Sequence, residues 1–198
     1  MTEKVFISPQ RLYEDSLELG RQIIASGFKP DFIVGVWRGG TPVGITVQEL
    51  LDFYGIHTDH ISIRTSSYSG LDARREGRVR VHGLGYLEQQ MNAEDSLLIV
   101  DDVFDTGLSV KAIIAKLKRR ARKNLPKDLR VATAYYKPGR NRTSFEPDFS
   151  VHRTDDWLVF PHEMEGLNLA EIREHKSHLA TIIDALEGVA EPVKLARE

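Results

Sequence analysis

Ser96-Leu97-Leu98-Ile99-Val100-Asp101-Asp102-Val103-Phe104-Asp105-Thr106-Gly107-Leu108-Ser109 is the stretch on which the reading of this chain turns. Its apolar run, Leu97 to Val100, has the length and branching of a strand buried on both faces, as in a parallel sheet. The run meets two adjacent carboxylates, then a small-residue turn. From Val110 the apolar positions Ile113, Ile114 and Leu117 recur at helical spacing, so a helix is expected to about Arg122. Strand, acidic pair, turn and helix start together predict a ligand site beyond the carboxyl end of a strand in an open α/β sheet. The backbone N–H groups from Thr106 to Ser109 face outward from the helix N-terminus, which favours a phosphate there.

Asp101 and Asp102 repel each other and any anion unless hydroxyls or a cation stand before them. A vicinal diol, a Mg²⁺ ion and a phosphate one turn away meet those demands together, which describes a ribose 5-phosphate. Working outward, Asp31-Phe32-Ile33-Val34-Gly35-Val36-Trp37 is a second buried strand, and Arg38-Gly39-Gly40-Thr41-Pro42 turns into a helix carrying Val43, Ile45, Val47, Leu50 and Leu51. Glycines there let the backbone approach a ligand, Pro42 suits a first helical turn, and Arg38 supplies a cation. The loop is neither a Walker A sequence nor a dinucleotide-binding fingerprint.

The central stretch resembles the signature of the type I phosphoribosyltransferases, which bind 5-phosphoribosyl 1-diphosphate (PRPP). The resemblance implies an α/β fold, a mostly parallel twisted sheet flanked by helices, with a small hood. It implies that Asp101 and Asp102 hold the ribose hydroxyls directly or through Mg²⁺, that Thr106, Gly107 and Ser109 hold the 5-phosphate, and that Arg38, Gly39 and Gly40 grip the diphosphate. Relatives often carry a non-proline cis peptide at the position of Trp37-Arg38. After a third strand expected over Thr58 to Arg64, a polar stretch runs to about Arg80. Its Ser67-Tyr68 dipeptide resembles the closing loop of purine phosphoribosyltransferases, whose closure would exclude water.

A further strand, Arg130 to Tyr136, ends in Lys137-Pro138, and Trp157-Leu158-Val159-Phe160-Pro161 lies some twenty positions on. Here the resemblance narrows to the 6-oxopurine members acting on hypoxanthine, guanine or xanthine. It implies that Lys137 contacts the purine O6, that Trp157 stacks on the base, and that main-chain groups of Trp157 and Leu158 meet its edge. Asp105 falls where relatives place an acid near purine N7, a catalytic role. Adenine and orotate members usually have Ala there. Glu163 falls where relatives often put a carboxylate near the metal or base, a third candidate ligand beside Asp101 and Asp102.

Composition sets the frame. The chain has 198 residues, 41% of them hydrophobic, a net charge of −2 and no Cys, which leaves no disulfide or thiolate metal site and no bulk attraction to nucleic acid or membrane. With no apolar signal core at its N-terminus, a cytoplasmic location is expected. Residues 1–165 are expected to form the phosphoribosyltransferase domain, with the hood at about 137–165. Residues 166–198 form a C-terminal extension whose helix, Gly166 to Gly188, presents Leu169, Ile172, Leu179, Ile182, Ile183 and Leu186 on one face, pointing to a homodimer or larger homo-oligomer. The basic run Lys116, Lys118, Arg119, Arg120, Arg122 suits a helix C-terminus and is read as structural. The pairs His57/His60 and His175/His178 are read the same way. The expected partners are PRPP and a purine base. The alternatives are a non-catalytic PRPP-binding regulator of the same fold and a phosphoribosyltransferase for another acceptor.

Overall fold

The structure, a computed structural model, describes residues 4–67, 79–186 and 188–189. Apolar strands buried on both faces need helices on both sides, and the chain supplies them in alternation. The elements are β1 (Lys4–Phe6), α1 (Pro9–Ala25), β2 (Phe32–Trp37), α2 (Gly40–Phe53), β3 (Asp59–Ser67), β4 (Val79–His82), α3 (Gly85–Gln90), β5 (Ser96–Phe104), α4 (Leu108–Ala121), β6 (Asp128–Tyr136), β7 (Phe149–Arg153), β8 (Trp157–Val159), α5 (Leu169–His175) and α6 (Ala180–Leu186). Six strands form one sheet in the order β4-β3-β2-β5-β6-β7, parallel except for the antiparallel β3–β4 pair. This is the expected α/β class.

Alternation along β5 divides the core. Leu98 and Val100 pack with Leu12, Leu19 and Ile23 of α1 and Val43, Val47 and Leu51 of α2. Leu97 and Ile99 pack with Leu87 of α3 and Ile113 and Leu117 of α4. Ser8 opens α1, its side chain accepting from Arg11 N, with Pro9 in the first turn. Buried Asp15 of α1 accepts from Tyr135 Oη at 2.8 Å and lies 2.7 Å from His152 Nε2, pinning that helix to β6 and β7.

Three sequence expectations are corrected. The strand expected to stop before the acidic pair runs on to Phe104, because β6 continues beside it (Asp101↔Thr133, Val103↔Tyr135, Phe104↔Tyr136). The hood is not one contiguous segment: β7 extends the main sheet, and β8 pairs in parallel with β1 from the other end of the domain. The single C-terminal helix is broken at Lys176, whose φ of −126° and ψ of 47° leave the helical region. A capping box of Asn168 and Glu171 starts α5, and Lys176 ends it by turning inward. Lys176 is 2% exposed, and its ammonium donates to the carbonyls of Phe160 (2.6 Å), Pro161 (3.1 Å) and Glu163 (2.6 Å). Ile182 and Leu186 of α6 stay exposed. Among the described residues no helix is long and apolar enough to cross a membrane.

Candidate active site

In an open parallel sheet the ligand crevice opens where the strand order reverses. That point lies between β2 and β5, since the chain proceeds from β2 to β3 on one side and from β5 to β6 on the other. The two strands are paired only as far as Gly35↔Val100. Asp101 and Asp102 therefore stand just past the end of that pairing, at the mouth of the crevice.

The Arg38-Gly39-Gly40 loop lies directly on the acidic pair. The Trp37–Arg38 peptide is cis. A Cβ at Gly39 would sit 1.9 Å from Asp102 Oδ2, and one at Gly40 would sit 2.3 Å from the Val100 carbonyl oxygen and 2.8 Å from Asp101 Cα. Glycine is required here by close approach to the carboxylates and to the β5 backbone, not by an unusual φ. The Arg38 guanidinium reaches outward to Glu165, 3.4 Å away, and is largely exposed.

Burial, and then the neighbouring Asp102, push the Asp101 carboxyl well above the usual carboxylate range, with backbone N–H groups of Asp102 and Gly40 partly opposing the shift. Asp102 is 8% exposed. Its Oδ1 accepts from Val103 N at 2.8 Å, and its Oδ2 lies 3.2 Å from His162 Nε2. The His162 ring stacks on Phe160, with centroids 5.7 Å apart at 12°. Glu163, by contrast, uses Oε2 to accept from Phe160 N at 3.0 Å, closing the turn that Lys176 braces. Among the described residues there is no cluster of three or more His, Cys, Asp or Glu side chains suited to a metal. Glu163 Oε2 is taken up by the Phe160 backbone.

Asp101 through Gly107, with Ser109 and Val110, line a cleft of about 230 Å³ at the N-terminus of α4. Gly107 has a φ of +72° and would bring a Cβ within 2.5 Å of the Phe104 ring. Asp105 lies between two cations, with Lys137 Nζ 3.7 Å from Oδ2 and Arg140 Nε 2.6 Å from Oδ1. Lys137 is buried, and its N–H donates to the Phe104 carbonyl, which locks the end of β6 to the end of β5. Pro138–Arg140 form a 3₁₀ turn, whose three-residue period brings Arg140 over Lys137.

Trp157 is 57% exposed at the start of β8, opposite Lys4, whose ammonium lies 5.9 Å from the indole centroid. Leu158 pairs with Val5. Ser67 ends β3 and pairs with Val79 of β4, while Tyr68 lies outside the described residues. His162, Arg140 and Lys176 are the site residues that sequence reasoning missed. The signal for Arg140 is the Lys-Pro-Gly-Arg turn. His162 and Lys176 carry no local signal, because their partners lie far away in the chain.

The family model for the phosphoribosyl transferase domain matches residues 9–167. A purine phosphoribosyltransferase from Pyrococcus horikoshii shares 26% identity at a TM-score of 0.63, over 83% of this chain and 97% of that one. A xanthine-guanine-hypoxanthine phosphoribosyltransferase from Helicobacter pylori matches at 19% identity and a TM-score of 0.62, over 87% and 100% of the two chains. A protein from Neisseria gonorrhoeae with bound ppGpp matches at 16% identity and a TM-score of 0.68, over 90% and 98%. The comparison with curated proteins by sequence gave no match. On the extent of the family match and on the type I architecture around its acidic pair, the chain belongs to the phosphoribosyltransferase family of enzymes.

Proposed function

We propose that this enzyme transfers the 5-phosphoribosyl group of PRPP to N9 of a 6-oxopurine, forming the nucleoside 5′-monophosphate and releasing diphosphate, a purine-salvage reaction. The observation that carries the choice of base is the buried Lys137 ammonium beside the Asp105 carboxylate, 3.7 Å apart, at the rim of the phosphate cleft. A 6-oxopurine offers a carbonyl oxygen at C6 and an N–H at N7 side by side. Lys137 donates to the first and Asp105 accepts from the second.

The other residues divide the rest of the substrate. Thr106, Gly107 and Ser109 take the 5-phosphate at the helix N-terminus. Asp101 and Asp102 take the ribose hydroxyls. Arg38, Gly39 and Gly40 face the diphosphate, where negative charge grows as the C1–O bond opens and the C1–N9 bond forms. The acidic pair suits a hard divalent cation such as Mg²⁺: two carboxyl groups sit together at the cleft, with room for substrate oxygens to complete the shell. Mg²⁺ when bound would offset the charge of the pair and of the diphosphate. Trp157 in the hood offers an exposed ring face to the base, and main-chain groups of Trp157 and Leu158 are assigned to the base edge; of the two, Leu158 points to the edge of β8 away from β1, which among the described residues has no strand partner. Ser67 and Tyr68 belong to the segment that closes over the site in this scheme.

The test is diphosphate release from PRPP and Mg²⁺ with hypoxanthine, guanine, xanthine, adenine and orotate supplied singly. Turnover confined to oxopurines is expected. Turnover with adenine or orotate alone would move the base preference, and PRPP binding without turnover on any base would replace the reading with a regulator or another acceptor.

A further inference from the structure

The basic residues of α4 separate by side. Lys116 donates to the Val81 carbonyl and Arg120 lies 2.6 Å from Glu88, so these two tie the helix to β4 and α3. Lys111, Lys118 and Arg122 recur on another side at helical spacing, and with Lys123 and Lys127 they rim a cleft of about 860 Å³. Ile114, Leu129, Val131 and Phe145 give it an apolar floor. The cleft exists because residues 137–148, the crossover from β6 to β7, hold a single 3₁₀ turn where a parallel connection usually lays a helix on the sheet.

Among the described residues, four of these five rim cations are not neutralised internally. Among the described residues the side chains of Lys111, Lys118, Arg122 and Lys123 have no ion-pair or hydrogen-bond partner, while Lys127 pairs with Glu94 at 2.9 Å. The two carboxylates on the wall are already engaged: Asp148 accepts from Val131 N at 2.7 Å, and Glu146 lies 2.7 Å from Arg153. Arg122 also holds a φ of 51° with ψ of −113°, a conformation costly for any residue with a Cβ. A strained arginine among unpartnered cations on an apolar floor is a poor arrangement for stability alone.

We propose that this cleft is a second ligand site, separate from the acidic pair, and that it takes a nucleotide-class anion. Phosphates meet the rim of Lys111, Lys118, Arg122 and Lys123, and a flat ring meets the apolar floor. The volume lies in the range of small-molecule sites. The segment bounding the cleft also backs onto the phosphate loop. Phe145 meets Phe104 edge-on at 5.7 Å, and Arg142 N donates to the Thr106 carbonyl at 3.0 Å. The proposal does not depend on which base the enzyme uses.

The experiment is calorimetric titration of the full chain with ATP as probe, repeated with inorganic triphosphate, adenosine and a single-stranded twelve-nucleotide RNA. ATP is expected to bind the parent and an Asp101→Asn/Asp102→Asn variant, and to bind Lys118→Glu/Arg122→Glu about a hundredfold more weakly, from the loss of two charge-assisted contacts. Arg122→Gly is expected to weaken ATP about tenfold while raising the melting midpoint, a combination that misfolding cannot produce. The proposal is overturned by absent ATP binding, by parent-like affinity in the Lys118→Glu/Arg122→Glu variant, or by loss in the acidic-pair variant alone. Triphosphate or adenosine binding as well as ATP would remove the nucleotide class, and RNA binding more tightly than ATP would make the cleft a nucleic-acid surface instead.

Discussion

Placing one methyl group at each of three neighbouring glycines should give three different outcomes, because each Cβ meets something different. At Gly44, inside α2, the nearest atoms would lie at 3.7, 3.9 and 4.0 Å, ordinary contacts. Gly44→Ala therefore gains about 0.5–1 kcal/mol of helix preference, raising the melting midpoint by about 1–4 °C for a chain of this size. At Gly39 the new Cβ would be 1.9 Å from Asp102 Oδ2, so the carboxylate must retreat by about 1.5 Å to reach ordinary contact. That movement breaks the bond from Val103 N or the contact with His162. Losing one charge-assisted bond costs about 1.5–3 kcal/mol, which corresponds to about 10- to 150-fold in kcat/KM if Asp102 holds the ribose. At Gly40 the obstacle is the Val100 carbonyl and Asp101 Cα, backbone of the central strand, which cannot rotate away. Gly40→Ala should cost about 3 kcal/mol or more and lower the midpoint by about 6 °C or more. Thermal melts and diphosphate-release kinetics on the three variants supply both readouts. Parent-like kcat/KM in Gly39→Ala, or a Gly40→Ala midpoint equal to that of Gly44→Ala, would refute the close packing of the loop on the acidic pair.

The other expected outcomes concern charge. The Asp101 carboxyl keeps its proton to higher pH when folded than when unfolded, so the folded state binds more protons between the two values and stability falls as pH rises through that window. Asp101→Asn should match the parent's midpoint near about pH 4 and exceed it increasingly toward neutral pH, while turnover drops; a gap independent of pH would contradict the burial argument. Lys176→Met removes the donor to three carbonyls. It should cost about 2–3 kcal/mol, a midpoint drop of about 4–12 °C, and an unchanged melt would show that the turn at Phe160–Glu163 stands without it. Asp105→Asn should lower kcat about 10²- to 10⁴-fold with little change in KM for PRPP. Lys137→Met should instead raise KM for the oxopurine, and steady-state kinetics with both substrates varied distinguish the two roles.

The central parts of this molecule were legible because they are local. Leu97 to Val100, the acidic pair and Asp105-Thr106-Gly107 each declare their structure within a few residues, and the loop at Arg38-Gly39-Gly40 does the same after its own apolar strand. What sequence reasoning missed depends on partners distant in the chain. Strand β4 is four residues of which Val81 alone is buried, and it forms against β3 rather than by its own pattern. The Gly166–Gly188 stretch has the periodicity of one helix, yet burying the Lys176 ammonium against carbonyls near Phe160 outweighs continued helical bonding at that position. The basic run of α4 reads as one cluster in sequence, whereas helical geometry sorts it to separate surroundings. Tyr68 is a sequence reading outside the described residues.

The pairing of β1 with β8 also sets an order of assembly. Lys4 and Glu171 meet across 167 positions, and the Phe6 ring stacks on His175 at 4.0 Å. As the chain is synthesised, β2, β5 and β6 are complete by Tyr136, so the acidic pair and phosphate loop can take shape on a nearly finished sheet. The first strand must wait, unpaired, for the last one. Because such long-range contacts are the slowest to close, the residues that the proposed reaction assigns to the sugar phosphate, together with Asp105 and Lys137, are expected to be in place before Trp157 and Leu158. Trimming the chain ahead of Ile7 should then leave a sheet that still engages the phosphate end of its substrate but has lost the wall on which the ring would rest.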